Sequence, residues 1–205
     1  MAGLREQKKQ ATREALREAA LRLALERGPD NVRVDDIAEA AGVAPRTYNN
    51  YFSSREQAIV AAVTAEREAR VAAAVAARPA DVRLADAVVE AIVEQYTEDP
   101  GERHRDALLL ITTRPTLRDA FVDTAAAIEH PLAAAIAERI GDTEPHTARV
   151  LAASVAAAVR VALQQWAPTM SGGLVVPSGS LPDLLRASLA PLTPALDAAE
   201  ERSRH

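Results

Sequence analysis

Cysteine is absent from this sequence, and aromatic residues make up only 3% of it. Without cysteine the chain can form no disulfide and can offer no thiolate as a nucleophile or a metal ligand. The scarcity of aromatic residues and the eight glycines in 205 residues leave little material for strands and tight turns. The abundance of alanine instead favours helices, so the composition predicts an all-α fold.

A long apolar run is also missing. The most apolar stretch, residues 150–163, contains Arg160 and is shorter than the roughly 20 residues that cross a bilayer. The N-terminus is charged and has no apolar segment of the kind found in signal peptides. These features predict a cytoplasmic protein with no membrane partner.

The sequence also lacks the patterns of common catalytic and metal sites. The four histidines, at positions 104, 130, 146 and 205, stand apart from one another, and neither HExxH nor GxSxG occurs. Carboxylates such as Glu90, Glu94 and Glu98 recur at helical spacing, which is typical of a solvated helix face. We therefore expect no catalytic residue, no metal and no cofactor, and we predict that the protein is not an enzyme.

The stretch from Val34 to Arg55 has the pattern of a helix-turn-helix. A short amphipathic helix ends at Gly42, which suits the left-handed residue that follows many helices. Pro45 then fits the first position of a second helix, predicted over residues 45–51. In a helix-turn-helix this second helix enters the major groove of DNA.

The predicted second helix carries side chains suited to reading bases. Arginine can hydrogen-bond the major-groove edge of guanine, and asparagine can hydrogen-bond the major-groove edge of adenine. The methyl group of threonine can contact the methyl group of thymine. The alternative interpretation is a merely solvated face. The residues predicted to bind DNA are Arg33, Pro45, Arg46, Thr47, Asn49, Asn50, Tyr51 and Arg55.

These residues resemble the signature of the tetracycline-repressor (TetR) family, over about a quarter of the chain, residues 11–62. The matching positions are Val34, Ile37, Ala38, Ala41, Gly42, Val43, Thr47, Tyr51, Phe52 and Glu56. The resemblance implies a homodimeric regulator that binds a palindromic DNA operator and holds a small-molecule effector in its C-terminal body.

The chain departs from the family pattern at four positions. Arg33 replaces a threonine that caps a helix and contacts phosphate, and Ala44 replaces a capping serine. Losing such a cap typically costs about 0.5–2 kcal/mol. Asn49 stands where an aromatic residue is common, which puts a phosphate contact there in question, and Arg55 replaces lysine with its charge kept.

Charge is unevenly distributed along the chain. The net charge is −5, but residues 1–55 carry +2 and residues 56–205 carry −7. Since phosphate binding depends on the local patch, this distribution agrees with a DNA-binding N-terminus. The basic end of the first helix, with Lys8, Lys9 and Arg13, is predicted either to lie near the DNA backbone or to be merely solvated.

The rest of the chain reads as a series of helices separated by proline and glycine. The first is predicted over residues 8–27, and a long one, opened by a capping box of Ser53 and Glu56, over residues 54–78. Further helices are expected at residues 81–98, 102–113, 115–140, 145–167 and 181–199. Gly28-Pro29 and Gly141 are predicted to end the helices that precede them, and residues 168–180 to form a loop. Pro131 is predicted to kink or break its helix, and Pro191 and Pro194 to bend or interrupt the last one. We predict a helix-turn-helix DNA-binding domain at residues 1–55 and a ligand-binding and dimerisation domain at residues 56–205.

A few large polar or aromatic residues stand within the apolar segments of the predicted body. Such sparse groups orient ligands in apolar cavities, and the alternative for each of them is an ordinary residue at the rim of the core. The predicted effector-pocket residues are Gln95, Tyr96, Arg114, Phe121, His130, Gln165 and Trp166.

The last two predicted helices carry an alanine-rich face and a leucine stripe. The family resemblance implies that they pair with their counterparts in a second subunit, and the alternative is that a monomer buries the same stripe internally. The predicted interface residues are Ala153, Ala156, Ala157, Leu185 and Leu189.

The sequence as a whole predicts a homodimeric TetR-like regulator, a repressor released from its operator by the effector. The alternative is a helical ligand-binding or structural protein with only non-specific affinity for DNA. The absence of Ser at Ala44 and of an aromatic residue at Asn49 keeps this alternative open.

Overall fold

A computed structural model describes residues 2–64, 67–97, 102–141, 146–166 and 179–203 of the chain. In these residues there are twelve α-helices and no β-strand, which confirms the all-α prediction. The helices are α1 Ala2–Arg27, α2 Val34–Ala40, α3 Pro45–Tyr48, α4 Arg55–Thr64, α5 Arg67–Ala77, α6 Leu84–Thr97, α7 Glu102–Thr113, α8 Pro115–Asp123, α9 Glu129–Ile140, α10 His146–Trp166, α11 Leu181–Leu189 and α12 Thr193–Ser203.

The helices form two compact units. The head unit comprises Met1–Ala65 and Pro100–Phe121, and the body unit comprises Glu66–Asp99 and Val122–His205. Helix α7 therefore clusters with the N-terminal helices, although it follows α6 in the chain. The boundary predicted after residue 55 stays a prediction.

The head unit is built around α1. Its buried side chains, among them Leu16, Ala20 and Leu23, recur at helical spacing and pack against α2 and α4. Helix α1 ends at Arg27, and Gly28, with φ of 78°, turns the chain into a 3-10 turn at Pro29–Asn31. The predicted stop at Gly28-Pro29 is confirmed. Helix α7 packs against α1 and α4.

The body unit is centred on α10, which packs against α9 and α11. Helix α5 packs against α6 and α9, and α11 packs against α6. The core is made of small and medium aliphatic residues, of which Val88, Ile92, Val155, Val159 and Leu185 have no exposed surface.

Helix α4 is capped one residue later than the sequence predicted. The Ser54 hydroxyl accepts a hydrogen bond from the Gln57 N–H (3.1 Å), and Gln57 Oε1 accepts one from the Ser53 N–H (2.7 Å). The predicted pair of Ser53 and Glu56 is therefore wrong, because α4 begins at Arg55 and Gln57 is its third residue. The predicted long helix over 54–78 is seen as α4 and α5, and residues 65 and 66 lie outside the described residues.

The predicted helix over residues 115–140 is interrupted, but not at Pro131. The interruption is a 3-10 turn at Thr124–Ile128. Pro131 is the third residue of α9, where its missing N–H costs nothing because the first N–H groups of a helix have no internal partner. Gly141 ends α9 with φ of 60°, as predicted.

The C-terminal helix is broken at Pro191, as predicted. A 3-10 turn at Ala190–Leu192 separates α11 from α12, and Ser180 caps α11 by accepting from the Asp183 N–H. Of the loop predicted at residues 168–180, only Gly179 and Ser180 are among the described residues.

A buried ion pair, which we call the Arg139–Glu200 clasp, ties distant parts of the body unit together. The side chains are 10% and 11% exposed, and Arg139 Nε lies 3.8 Å from Glu200 Oε1. The Arg139 guanidinium also donates to four carbonyl oxygens at the end of α5 and in the turn after it, those of Val75, Arg78, Pro79 and Val82. Glu200 Oε2 accepts from the Leu84 N–H (2.9 Å), at the first residue of α6. Each charge thus meets the helix end of opposite polarity.

Two segments, Pro115–Ile140 and His146–Trp166, are long and apolar enough by composition to cross a membrane. The first is interrupted by the 3-10 turn at Thr124–Ile128. In each, 44% of the most apolar window is buried inside the protein. Two such helices are weak evidence for a membrane span, because core helices of soluble proteins have the same length and composition.

Candidate nucleic-acid interface

The turn between α2 and α3 is a Schellman motif. The Val43 N–H donates to the Ala38 carbonyl (2.9 Å) and the Gly42 N–H donates to that of Glu39 (3.0 Å). Gly42 has φ of 69°, a left-handed conformation that glycine adopts without strain. The predicted role of Gly42 is confirmed, and the motif fixes the direction in which α3 leaves α2.

Helix α3 is shorter than predicted. It spans Pro45–Tyr48 rather than residues 45–51, and Pro45 occupies its first turn. The next residues continue as turns, in which the N–H groups of Asn50 and Tyr51 donate to the carbonyls of Thr47 and Tyr48. Two consecutive asparagines explain the early end, because asparagine is a poor helix former whose side chain competes for backbone hydrogen bonds. No side chain caps the start of α3 at Ala44, as the missing serine leads one to expect.

The polar side chains of this segment lie on its outer surface. Arg46, Asn49 and Asn50 are exposed, and Thr47 and Tyr51 are partly exposed. We call the surface formed by Arg46, Thr47, Asn49 and Asn50 the readout surface. Pro45 is exposed at its leading edge.

Tyr48 fixes the inner side of the same segment. Its ring is completely buried, and its hydroxyl donates to the Ser54 carbonyl (2.7 Å). Burial, with a smaller contribution from the charge of Glu56, raises the pKa of Tyr48 to about 12. The ring packs on that of Phe52, with centroids 5.9 Å apart, so residues 48–54 are anchored at both ends.

The two arginines that flank the readout surface differ in their environment. Arg33 is exposed just before α2. Its backbone N–H donates to Asp36 Oδ2 (2.9 Å), and this bond caps the N-terminal end of α2 in the absence of the usual threonine. Arg55 is partly buried: Nη1 donates to the carbonyls of Asp30 (3.2 Å) and Val32 (3.0 Å), and Nε donates to Glu56 Oε1 (2.7 Å). Although partial burial alone would raise the pKa of Glu56, the hydrogen bond and the charge from Arg55 prevail and lower it.

Comparison with known proteins gives matches to two family models. Residues 16–62 match the N-terminal domain described as bacterial regulatory proteins of the tetR family, and residues 78–197 match the MftR C-terminal domain. The HTH-type transcriptional regulator TcmR of Streptomyces glaucescens is 30% identical over 177 residues, which cover 80% of this chain and 76% of TcmR.

The chain belongs to the TetR family of transcriptional regulators. Among solved structures, a TetR-family regulator from a Rhodococcus species is 21% identical, with a TM-score of 0.47 over 91% of this chain and 99% of that one. Another from Streptomyces coelicolor is 20% identical, with a TM-score of 0.40 over 95% and 89%. The TetR family is a family of regulators and not of enzymes.

Of the residues predicted for the effector pocket of this TetR-family chain, Arg114 and Phe121 belong to the head unit and the other five to the body unit. Gln95 and Tyr96 lie together on α6, partly buried in the body unit. His130 and Gln165 are exposed, Trp166 is partly exposed, and Phe121 is buried in the core.

Arg114 forms an ion pair in the head unit. It belongs to the head unit, is half exposed, and its Nη1 lies 3.2 Å from Asp30 Oδ2. The other carboxylate oxygen of Asp30 lies 4.0 Å from Arg55 Nη2. The side chain of Arg114 thus reaches a carboxylate next to the helix-turn-helix, and its assignment to the pocket stays a prediction. Its position in the chain, near the apolar end of α7, gave no sign of this ion pair.

The residues predicted for the dimer interface also divide. Ala153 is partly exposed and Ala157 is exposed, whereas Ala156, Leu185 and Leu189 are buried within the single chain, at 5%, 0% and 1% exposure. The chain itself already covers these three side chains almost completely, and their assignment to an interface stays a prediction. The two leucines fill the space between α11, α6 and α10.

Sequence reasoning missed the cations that hold Gln95 and Tyr96. The Arg67 guanidinium carbon lies 4.3 Å from the centroid of the Tyr96 ring, and Arg70 Nε donates to Gln95 Oε1 (2.8 Å). Burial lowers the pKa of Arg67 and raises that of Tyr96. The spacing of Arg67 and Arg70 on one helix face was the available signal, but their partners come from another helix.

Proposed function

We propose that this protein is a homodimeric repressor that binds a palindromic operator through the readout surface of each subunit. The observation that carries the proposal is the outward position of the four side chains of the readout surface. The segment that carries them is fixed by buried Tyr48, whose hydroxyl donates to the Ser54 carbonyl. The donors and acceptors of the four side chains fit the base edges of the major groove. Two such segments bind half-sites about 34–36 Å apart, one turn of the duplex.

The exposed face of α10 supports dimerisation. Val150 and Val161 are 53% and 43% exposed, and Ala157 lies between them on the same face. Small residues let two helices approach closely, and exposed valines gain about 25 cal/mol per Å² when they are covered. Ala153 and Ala157 belong to this face. The proposed dimer interface is therefore the exposed face of α10 and not the leucine stripe of α11.

The proposed effector is a small molecule bound in the body unit, near Gln95 and Tyr96. Family membership supports an effector, since TetR-family regulators bind DNA and effector ligands and typically dimerise. Release from DNA requires the effector to bind the two states of the dimer unequally, and a tenfold loss of operator affinity corresponds to about 1.4 kcal/mol of coupling. Repression follows from occlusion of a promoter, in the cytoplasm where the operator lies.

Selection of bound fragments from random duplexes, followed by sequencing, tests the proposal. We expect a palindrome whose half-sites are one helical turn apart, bound by a dimer. Sedimentation of the complex gives the number of subunits. Salt-sensitive binding with no enriched sequence would contradict the proposal and favour a helical protein with only non-specific affinity for DNA.

A further inference from the structure

The first turns of α1 extend beyond the part of the helix that is packed in the head unit. Helix α1 begins at Ala2, but the first buried side chain among those described is Leu16. Leu4, Arg5 and residues 7–11 are exposed. At about 1.5 Å per residue, roughly 20 Å of helix therefore precedes the packed part.

This extension is strongly basic. It carries Arg5, Lys8, Lys9 and Arg13, which we call the cation ridge, and Glu6 is the one acidic residue among positions 2–13. The ridge includes both lysines of the chain. Arg5, Lys9 and Arg13 follow one another at intervals of four, and Lys8 lies three residues after Arg5, so they lie on one side of the helix.

The ridge lies on the side of α1 that faces the helix-turn-helix. In helical register it continues the buried stripe of Leu16, Ala20 and Leu23, which packs against the head. At the boundary between ridge and stripe, the Arg13 guanidinium carbon lies 5.3 Å from the centroid of Phe52, the residue that follows Tyr51. Lys9 and Arg5 therefore lie one and two turns further along the same edge of α1.

We propose that the cation ridge is a second DNA-binding surface, which contacts phosphates of the duplex beside the bases read by α3. This inference rests on the proposed function and adds a sequence-independent contact to it. Arg5 and Arg13 are about 12 Å apart along the helix axis. One DNA strand carries a charge every 3.4 Å along its axis, so the ridge spans about three phosphates.

The composition of the extension favours DNA over a membrane surface as the partner. Helices that lie on membranes bury a broad apolar face rich in leucine, phenylalanine or tryptophan. The side opposite the ridge carries Gln7, Gln10, Ala11 and Glu14, and Leu4 is the exposed large apolar residue before Leu16. The ridge thus offers charge without the apolar face that insertion needs.

The test uses the full chain and two variants that each lose two exposed cations of the same helix. Lys8→Gln/Lys9→Gln removes charge from the ridge, and Arg22→Gln/Arg27→Gln removes it from the other end of α1. Fluorescence anisotropy measures binding to a long random-sequence duplex over a range of KCl concentrations. Circular dichroism checks that both variants keep the helicity of the wild type.

We expect the ridge variant to flatten the plot of log K against log[KCl] by about 0.9 for each lost phosphate contact, so by about 2 per subunit. The control should keep the wild-type slope, and Lys8→Arg/Lys9→Arg should restore it. An unchanged slope in the ridge variant would overturn the proposal, even if the wild type selects a palindrome. So would equal flattening in the control, or ridge-dependent binding to phosphatidylglycerol vesicles with no change in the slope for DNA. Wild-type binding without any selected sequence would instead overturn the proposed function. The comparison of salt slopes would then still show whether the cation ridge binds DNA.

Discussion

The readout surface of the head and the Arg139–Glu200 clasp of the body use the same kinds of side chain in opposite ways. Arg46 is exposed on a short helix, whereas Arg139 is 10% exposed and donates to four carbonyls of its own chain. Satisfied donors stabilise the fold, and exposed donors remain available to another molecule. The role of an arginine in this protein therefore follows from the acceptors around it.

The largest effect is expected from breaking the clasp. Arg139→Ala removes the cation that lies 3.8 Å from buried Glu200 and four hydrogen bonds to carbonyls, so the free energy of unfolding should fall by about 3–5 kcal/mol. Urea denaturation measures this loss. Arg149→Ala, at an exposed position of α10, is the control and should change stability by about 0.5 kcal/mol or less. If Arg139→Ala changed the free energy of unfolding as little as the control does, Arg139 would not stabilise the fold and the contrast with Arg46 would be wrong.

Asn50→Ala tests the other side of the comparison. Because Asn50 is exposed, we expect unchanged helicity and unchanged stability, but a loss of about 1–3 kcal/mol in the free energy of binding to the selected operator. The affinity for random duplex should change little. Equal affinity for the operator with an unchanged base preference would refute a role of Asn50 in readout.

Arg55 lies between the two cases, because it has internal acceptors and is still 33% exposed. Arg55→Ala should lower the free energy of unfolding by about 1–2 kcal/mol, since the carbonyls of Asp30 and Val32 lose a charged donor. If Arg55 also contacts a phosphate, the variant binds all sequences more weakly and its salt slope falls by about 1 per subunit. An unaltered slope with lowered stability would place Arg55 with Arg139 as a purely structural residue.

The smallest effect is expected at Tyr48. Tyr48→Phe removes the hydrogen bond to the Ser54 carbonyl and should cost about 1 kcal/mol at neutral pH. The pKa of Tyr48 is raised from 10 to about 12 on folding, so its contribution is present below pH 10 and is lost as the pH rises towards 12. Urea midpoints measured across this range should fall more steeply for the wild type than for the variant. Parallel curves would contradict the burial of this hydroxyl.

Local rules predicted those parts of the fold that one or two residues determine. Gly28, Gly42 and Gly141 end their helices because each adopts a positive φ, which glycine tolerates best. Pro191 interrupts the last helix because it lacks an N–H. The interruption at residues 124–128 could not be predicted in this way, since that segment contains neither glycine nor proline and its shape depends on packing against α5, α9 and α10.

In the candidate site, too, local features could be predicted from the sequence and features that depend on distant contacts could not. The outward side chains of residues 46–50 could be predicted because helical spacing alone places them opposite Tyr48. The positions of Arg114 and Leu185 could not be predicted, because each depends on a partner far away in the sequence. The partner of Arg114 is Asp30, and α11, which carries Leu185, packs against α6 and α10. A polar residue in an apolar segment does not show which unit supplies its partner.

The bond from the Tyr48 hydroxyl to the Ser54 carbonyl closes a small ring of main chain around Asn49 and Asn50. Within such a ring the exposed side chains can be exchanged without disturbing the backbone, whereas a residue added or removed would open it. Operator preference in descendants of this protein should therefore change by substitution at positions 46, 49 and 50, with the length of the segment from 48 to 54 held constant.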